Sequence, residues 1–177
     1  MKYYAIQVKT NAENNFIKLF KFLHPEVSLP IYFLQRSLDI RRKGSVLTST
    51  APVFPGYLFV KTENDDEIHE HQFKFRRTDG FYRFLISNNM ITPLSKRDLE
   101  TVLPFVNCKN QTAGKSSVYF DDNSRIVVLE GPLMGLEGKI IKADRRKGRA
   151  KILLDLYDNS FLIDLGFNVI GKPNGQA

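Results

Sequence analysis

A chain of 177 residues holds one medium domain or two small ones, and is too short for a TIM barrel or a full two-domain dehydrogenase. With 42% hydrophobic and 25% charged residues it has the composition of a folded protein, which excludes wholesale disorder. The net charge of +7 favours a polyanionic partner, although an acidic protein surface or a membrane would also suit it.

Tyr3 to Lys9 alternates and is rich in β-formers, which predicts a strand. Thr10 and Asn11 then offer N-cap chemistry and Glu13 complements the helix dipole. Phe16, Leu19, Phe20 and Leu23 recur at helical spacing until His24-Pro25 stops the helix. A short strand is expected over Leu29–Leu34, followed by a hairpin with a basic tip over Asp39–Val46. Val53-Phe54-Pro55-Gly56-Tyr57-Leu58-Phe59-Val60 is a Pro-Gly bend feeding a strand whose two faces are both apolar. One face serves the core, and the surplus face needs a helix, a second domain or a partner to cover it. Asp65–Phe75 reads as a helix opened by acids, Phe81–Ile86 as a strand, and Ser95–Leu103 as a helix ended by Pro104. This order predicts an α+β domain over residues 1–106, an antiparallel sheet flanked by helices.

Residues 107–117 carry almost no core-forming side chain and read as a flexible linker. Residues 118–177 read as all-β, with strands over Arg125–Leu129, Lys139–Lys142, Lys151–Leu156 and Ser160–Ile163 and turns at Gly131, Gly135 and Gly148. So few residues make a core most readily by closing a small barrel. Ile152-Leu153-Leu154-Asp155-Leu156 would also suit a helix.

The positive charge is concentrated. The ten residues from Lys142 to Lys151 carry Lys142, Arg145, Arg146, Lys147, Arg149 and Lys151 against one acid, Asp144, a net +5 on an expected hairpin tip. Such a tip is either a solvated turn or a phosphate-gripping finger, and counterion release favours the finger. A second group, Arg41, Arg42 and Lys43 with Lys74, Arg76, Arg77 and Arg83, points the same way. Phe73, Phe75, Phe81 and Tyr82 lie among these charges and are expected to be core rather than stacking platforms. Catalytic signatures are poor. His69 and His71 stand two apart, which on a helix separates them, and no metalloprotease, phosphate-loop or serine-hydrolase motif occurs. The lone Cys108 reads as an inert thiol and cannot form an internal disulfide, so a reduced, cytoplasmic setting is expected. No signal-peptide core opens the chain and no apolar run reaches the ~18 residues of a membrane span.

Tyr3-Tyr4-Ala5-Ile6-Gln7, Phe54-Pro55-Gly56-Tyr57, Asp79-Gly80-Phe81 and Pro93-Leu94-Ser95 together resemble the N-terminal (NGN) domain of NusG-type transcription elongation factors. After the linker, Val127 to Ile140, with Gly131, Gly135 and Gly138, resembles a KOW motif, the small SH3-like β-barrel of the same family. The resemblance covers nearly the whole chain in the family's order.

That resemblance implies a monomeric, non-enzymatic factor without cofactor or metal, whose N-terminal domain sits on the clamp helices of the largest RNA polymerase subunit and suppresses pausing. It assigns Tyr3, Phe54, Tyr57 and Phe59 to the polymerase pocket, His69 to a contact with the opposite lobe, and Arg41, Arg42, Lys43 and Arg77 to non-template DNA. Tyr157 takes the place of an apolar loop residue that meets Rho or a ribosomal protein in the housekeeping factor. The basic tip instead resembles specialised antiterminators of the LoaP kind, whose KOW domain binds a structured RNA hairpin, here through Lys142, Arg145, Arg146, Lys147, Arg149 and Lys151. The expectation is thus a specialised paralogue promoting processive antitermination of specific operons. A housekeeping factor and a metal-dependent hydrolase using His69 and His71 stand as the alternatives.

Overall fold

The computed structural model describes residues 1–42, 44–85, 90–157 and 159–171. The chain divides into two compact units, Met1–Leu34 with Phe54–Leu103, and Gln35–Val53 with Pro104–Ala177.

The first unit is built on β1 (Lys2–Val8), α1 (Glu13–Leu23), β2 (Ile31–Tyr32), β5 (Tyr57–Thr62), α2 (Asp65–Arg77), β6 (Phe81–Phe84) and most of α3 (Lys96–Val106). Its sheet runs β2-β5-β1-β6 with antiparallel pairing, Tyr4 opposite Val60 and Ile6 opposite Leu58. Those four side chains share one face and pack in a single cluster with Phe16 and Phe20 of α1 and Ile68 and Phe75 of α2. Phe20 and Phe75 stack with ring centroids 4.2 Å apart, and Phe75 meets Phe84 edge-on at 6.0 Å. α2 shows why its sequence is helical. The Asn64 side chain accepts the Glu67 amide at 3.1 Å, Asp65, Asp66 and Glu67 fill the first turn, and Lys74, Arg76 and Arg77 fill the last.

Three local expectations are corrected here. The N-cap of α1 is Ala12, with no side-chain bond, because Asn11 takes a left-handed φ of 65° that places it outside the helix. Glu13 is buried and accepts the Gly56 amide at 2.7 Å, so its acid holds the Pro-Gly bend as well as facing the dipole. Pro104 lies inside α3 rather than behind it; in the last turn it removes a single ladder bond, while buried Val102 and Phe105 hold that turn. Leu29–Leu34 pairs only over Ile31–Tyr32, and Ile86 lies outside the described residues.

The second unit contains β3 (Gln35–Arg42), β4 (Ser45–Pro52), β7 (Thr112–Ala113), β8 (Ser116–Phe120), β9 (Ile126–Glu130), β10 (Ile140–Asp144), β11 (Arg149–Leu156) and β12 (Asn159–Val169). The C-terminal strands form a five-stranded sheet in the order β10-β11-β12-β8-β9. Alternation along β11 and β12 buries Ala150, Ile152, Leu154, Leu156, Ile163 and Leu165, so the leucine-rich stretch is strand and not helix. The Ser116 hydroxyl accepts the Leu133 amide at 2.9 Å and pins the Gly131–Gly135 turn of the KOW-like segment.

The hairpin expected in the first unit belongs with the second. The open edge of β3 is taken by β7 in parallel register, Gln35 with Thr112 and Arg36 with Ala113. Arg36 Nη1 donates to the Asp164 carbonyl at 2.9 Å, Arg149 Nη2 donates to the Asp39 carbonyl, and Lys115 pairs with Asp39 at 2.5 Å. A two-stranded ribbon left with two open edges is marginal, and these bonds satisfy one of them. The linker expected at 107–117 is correspondingly structured. It holds a 3-10 turn at Lys109–Gln111, all of β7 and the start of β8, with Ala113 and Ser116 buried.

Candidate functional site

The second face of the first unit's sheet carries Tyr3, Ala5 and Gln7 of β1 beside Lys61, Phe59 and Tyr57 of β5. Of the covers expected for the second apolar face, a helix, a second domain or a partner, the aromatics have one within the chain: Phe54 is 1%, Tyr57 6% and Phe59 0% exposed. Phe54 and Phe59 meet edge-on at 5.7 Å, so Phe54 folds back over the strand it introduces. What stays accessible is the rim. Half-buried Tyr3 and Tyr32 lie with ring centroids 6.1 Å apart, and Arg83 Nε donates to Gln7 Oε1 at 2.9 Å beside Tyr57. Burial, then the neighbouring Tyr32, pushes the Tyr3 hydroxyl above its ordinary pKa, and burial does the same to Tyr57 against the opposing effect of Arg83. Tyr32 was not singled out from sequence. It is placed by the register of the edge strand β2 on β5, Tyr32 opposite Phe59.

The bend that presents these rings is held at several points. Gly56 has a φ of +80°, and a Cβ there would lie 2.8 Å from Thr10 Oγ1, so glycine is required. The Gly56 carbonyl accepts the Val8 amide at 2.8 Å while its own amide goes to Glu13.

In the second unit the basic tip joins β10 to β11. Lys142, Arg145, Arg146 and Lys147 are exposed, and Arg149 and Lys151 are half-buried. Asp144 Oδ1 accepts the Lys147 amide at 2.9 Å, closing the turn. Gly148, at a φ of +60°, lets the tip approach β12: its carbonyl accepts the Phe167 amide at 2.8 Å, and a Cβ would stand 2.7 Å from the Phe167 carbonyl oxygen. The six cations are therefore not equivalent. Arg149 is engaged with Asp39 and Lys151 lies 3.6 Å from Asp164. Arg145 lays its guanidinium over Phe120, 4.3 Å from the ring centroid. Arg146 and Lys142 make no ion pair or hydrogen bond among the described residues.

The four residues expected on DNA fall on both units. Arg77 is exposed in the last turn of α2, and Arg41 and Arg42 end β3; Lys43 lies outside the described residues. His69 is exposed on α2, whereas half-buried His71 lines a shallow cleft with Glu26, Glu63 and Glu67. Among the described residues no group of three His, Cys, Asp or Glu side chains is placed to hold a metal ion. Tyr157 is half-buried in the turn between β11 and β12 at a φ of 52°. Cys108 Sγ donates to the Pro104 carbonyl at 3.2 Å and burial pushes its thiol up, which makes it inert. Of the four interleaved aromatics, Phe75 and Phe81 pack in or against the core, but Phe73 and Tyr82 are 64% and 57% exposed, contrary to expectation. Phe73 lies two residues from Phe75 and so points to the other side of α2.

Residues 1–116 match the family model described as "Transcription termination factor nusG". The chain is 22% identical to the transcription termination/antitermination protein NusG of Helicobacter pylori (strain J99), over 97% of this chain and 98% of that one. The protein of the same name from Bacillus subtilis (strain 168) is 25% identical, over 96% of this chain and 92% of the other. A chain of the crystal structure of the MjSpt4:Spt5 complex in conformation A aligns over 93% of this chain and 92% of its own, at 14% identity and a TM-score of 0.33. With the family model running from β1 to the first residue of β8, this chain belongs to the NusG family of transcription factors.

Proposed function

We propose that the chain is a specialised NusG-family elongation factor of the cytoplasm that docks on RNA polymerase with its first unit and grips a structured leader RNA with the basic tip of its second. Docking on the clamp helices of the largest subunit suppresses pausing, and the RNA contact restricts antitermination to the operons that carry the leader. Recruitment then comes from two weak contacts made by one chain, each raising the effective concentration of the other. The observation that carries the RNA reading is the display of Arg145, Arg146 and Lys147 on a turn fixed by Asp144 and Gly148. Three adjacent exposed cations repel one another, which costs stability.

For polymerase, the rim pair Tyr3 and Tyr32 offers amphipathic contact area over the rings of Phe54, Tyr57 and Phe59, with His69 a separate contact on α2. Arg77, Arg41, Arg42 and Lys43 supply charge for a sequence-independent hold on the non-template strand. A second reading, the housekeeping factor, draws on a different observation. Leu153 and Leu162 are paired across β11 and β12 on the sheet's outer face, and are 36% and 55% exposed near Ile141 at 59%. With Tyr157, that patch would suit Rho or a ribosomal protein.

Binding of leader RNA measured against salt tests the first reading. Arg145→Ala with Arg146→Ala should weaken binding and flatten the log–log salt slope by roughly 0.7 to 2, as one or two lost phosphate contacts require. An unchanged slope means that the tip is solubilising charge, and saturable capture of Rho or the ribosomal protein by the same chain then favours the second.

A further inference from the structure

A cleft of about 810 Å³ lies within the second unit, between the β3–β4 hairpin and the β10–β11 tip. One wall carries Ile40 and Val169, exposed at 40% and 46%, beside the Lys115–Asp39 ion pair. The other is Arg145, Arg146 and Lys147. Gripping phosphates alone needs no apolar wall, and a duplex turns its phosphates outward and hides its base faces. A strand with unpaired bases uses both walls at once. The volume is that of a small-ligand pocket, room for roughly one or two nucleotides rather than for a helix.

Arg145 has a particular place in this cleft. Its guanidinium carbon lies over the ring of Phe120, which itself meets buried Phe167 edge-on at 6.0 Å. The side chain nevertheless remains exposed. A planar cation held against a ring presents its other face as a stacking platform, already oriented before a ligand arrives. A lysine at that position would keep the charge and lose the plane.

Resting on the reading that the tip binds RNA, we propose that this cleft holds a single-stranded polynucleotide. An unpaired base stacks on the Arg145 guanidinium, Arg146 and Lys147 hold the adjoining phosphates, and Ile40 and Val169 cover the neighbouring base. In a leader hairpin, the part so read is the loop or an unpaired flank, and the stem is not the ligand of this site.

The test uses the full chain and fluorescence anisotropy with a short mixed-sequence RNA strand, the same strand annealed to its complement, the same sequence as DNA, and the RNA strand with central abasic positions. The single strand should bind about tenfold tighter than the duplex. Arg145→Lys should lose about fivefold or more on the base-bearing strand, lose nothing further on the abasic strand, and leave the salt slope in place. Phe120→Leu, accepted only if its melting curve matches wild type, should reproduce that loss by removing the buttress. Weaker binding of the DNA strand identifies RNA as the source of the ligand, and equal binding extends the same stacking chemistry to a displaced DNA strand. Equal losses on base-bearing and abasic strands, or a duplex that binds as tightly as the single strand, overturn the stacking site while leaving an RNA-binding tip intact. Failure of every probe, and of hairpin RNA, to bind overturns the parent reading and this one with it.

Discussion

Glu13 is the most exacting test of how the first unit positions its aromatic bend. The carboxylate is 3% exposed and accepts the amide of buried Gly56 at 2.7 Å, joining the first turn of α1 to the segment that carries Phe54 and Tyr57. Glu13→Ala removes a charge-assisted hydrogen bond and leaves a buried N–H without its acceptor. Bonds to charged groups are worth about 1.5–3 kcal/mol and an orphaned buried amide costs about 1–3 kcal/mol. These describe the same loss from two sides and do not add, so the expected destabilisation is about 2–3 kcal/mol. At about 4–8 °C per kcal/mol for a unit of this size, the melting temperature should fall by roughly 10–20 °C. Glu13→Gln keeps an oxygen at the same reach and should lose only about 1 kcal/mol. Thermal and urea unfolding followed by circular dichroism on the full chain measures both. An alanine variant within about 0.5 kcal/mol of wild type would falsify the claim that this carboxylate holds the bend.

Two further outcomes follow from charged side chains. Lys2 and the Tyr4 hydroxyl both donate to Asp65, and, in that order, they hold its carboxyl below the usual range. A depressed carboxylate contributes stability that is present above its unfolded pKa, near 4, and is lost as pH falls through the lower folded value. Asp65→Asn should therefore be less stable than wild type at neutral pH and converge with it in acid; a constant gap in urea titrations across that range would refute the assignment. Arg149 donates to the Asp39 carbonyl, which ties β11 to β3. Arg149→Ala should lower the urea midpoint yet leave the RNA salt slope within about 0.5 of wild type, and a full unit of lost slope would return Arg149 to the ligand-facing set.

Periodicity made α1, α2, β1, β5 and β11 legible, since each pairs an apolar repeat with a terminator or cap visible within a few residues. It could not place the β3–β4 hairpin. That ribbon's membership depends on Arg36, Asp39, Lys115 and Arg149, whose partners are as many as 128 positions away in sequence. β7 and the start of β8 were missed for a related reason. Thr112-Ala113 and Ser116-Ser117 are poor core formers, and they become strands because neighbouring edges need partners. Counting apolar faces on β5 was sound, but which of the expected covers the second face takes was not legible. Phe54 folds onto Phe59 through a turn whose geometry is set by Gly56 and Glu13, and no local pattern announces that contact.

The same distinction governs the basic tip. Sequence counts charges; folding decides which of them are already spent on the protein. Arg149 and Lys151 sit within the β11 ladder, where their neighbours Asp39 and Asp164 come from other strands, so they hold the sheet and the hairpin together. Arg145, Arg146 and Lys147 occupy the turn itself, where no strand opposes them, and among the described residues the one ion pair they make is that of Lys147 with Asp144, at 3.9 Å. A +5 segment thus resolves into a structural pair and an outward-facing set, with Lys142 beside them on β10. The outward set is what a phosphate can meet without unfastening the hairpin that forms the other wall of the cleft. Ligand binding and the integrity of the site then draw on different cations.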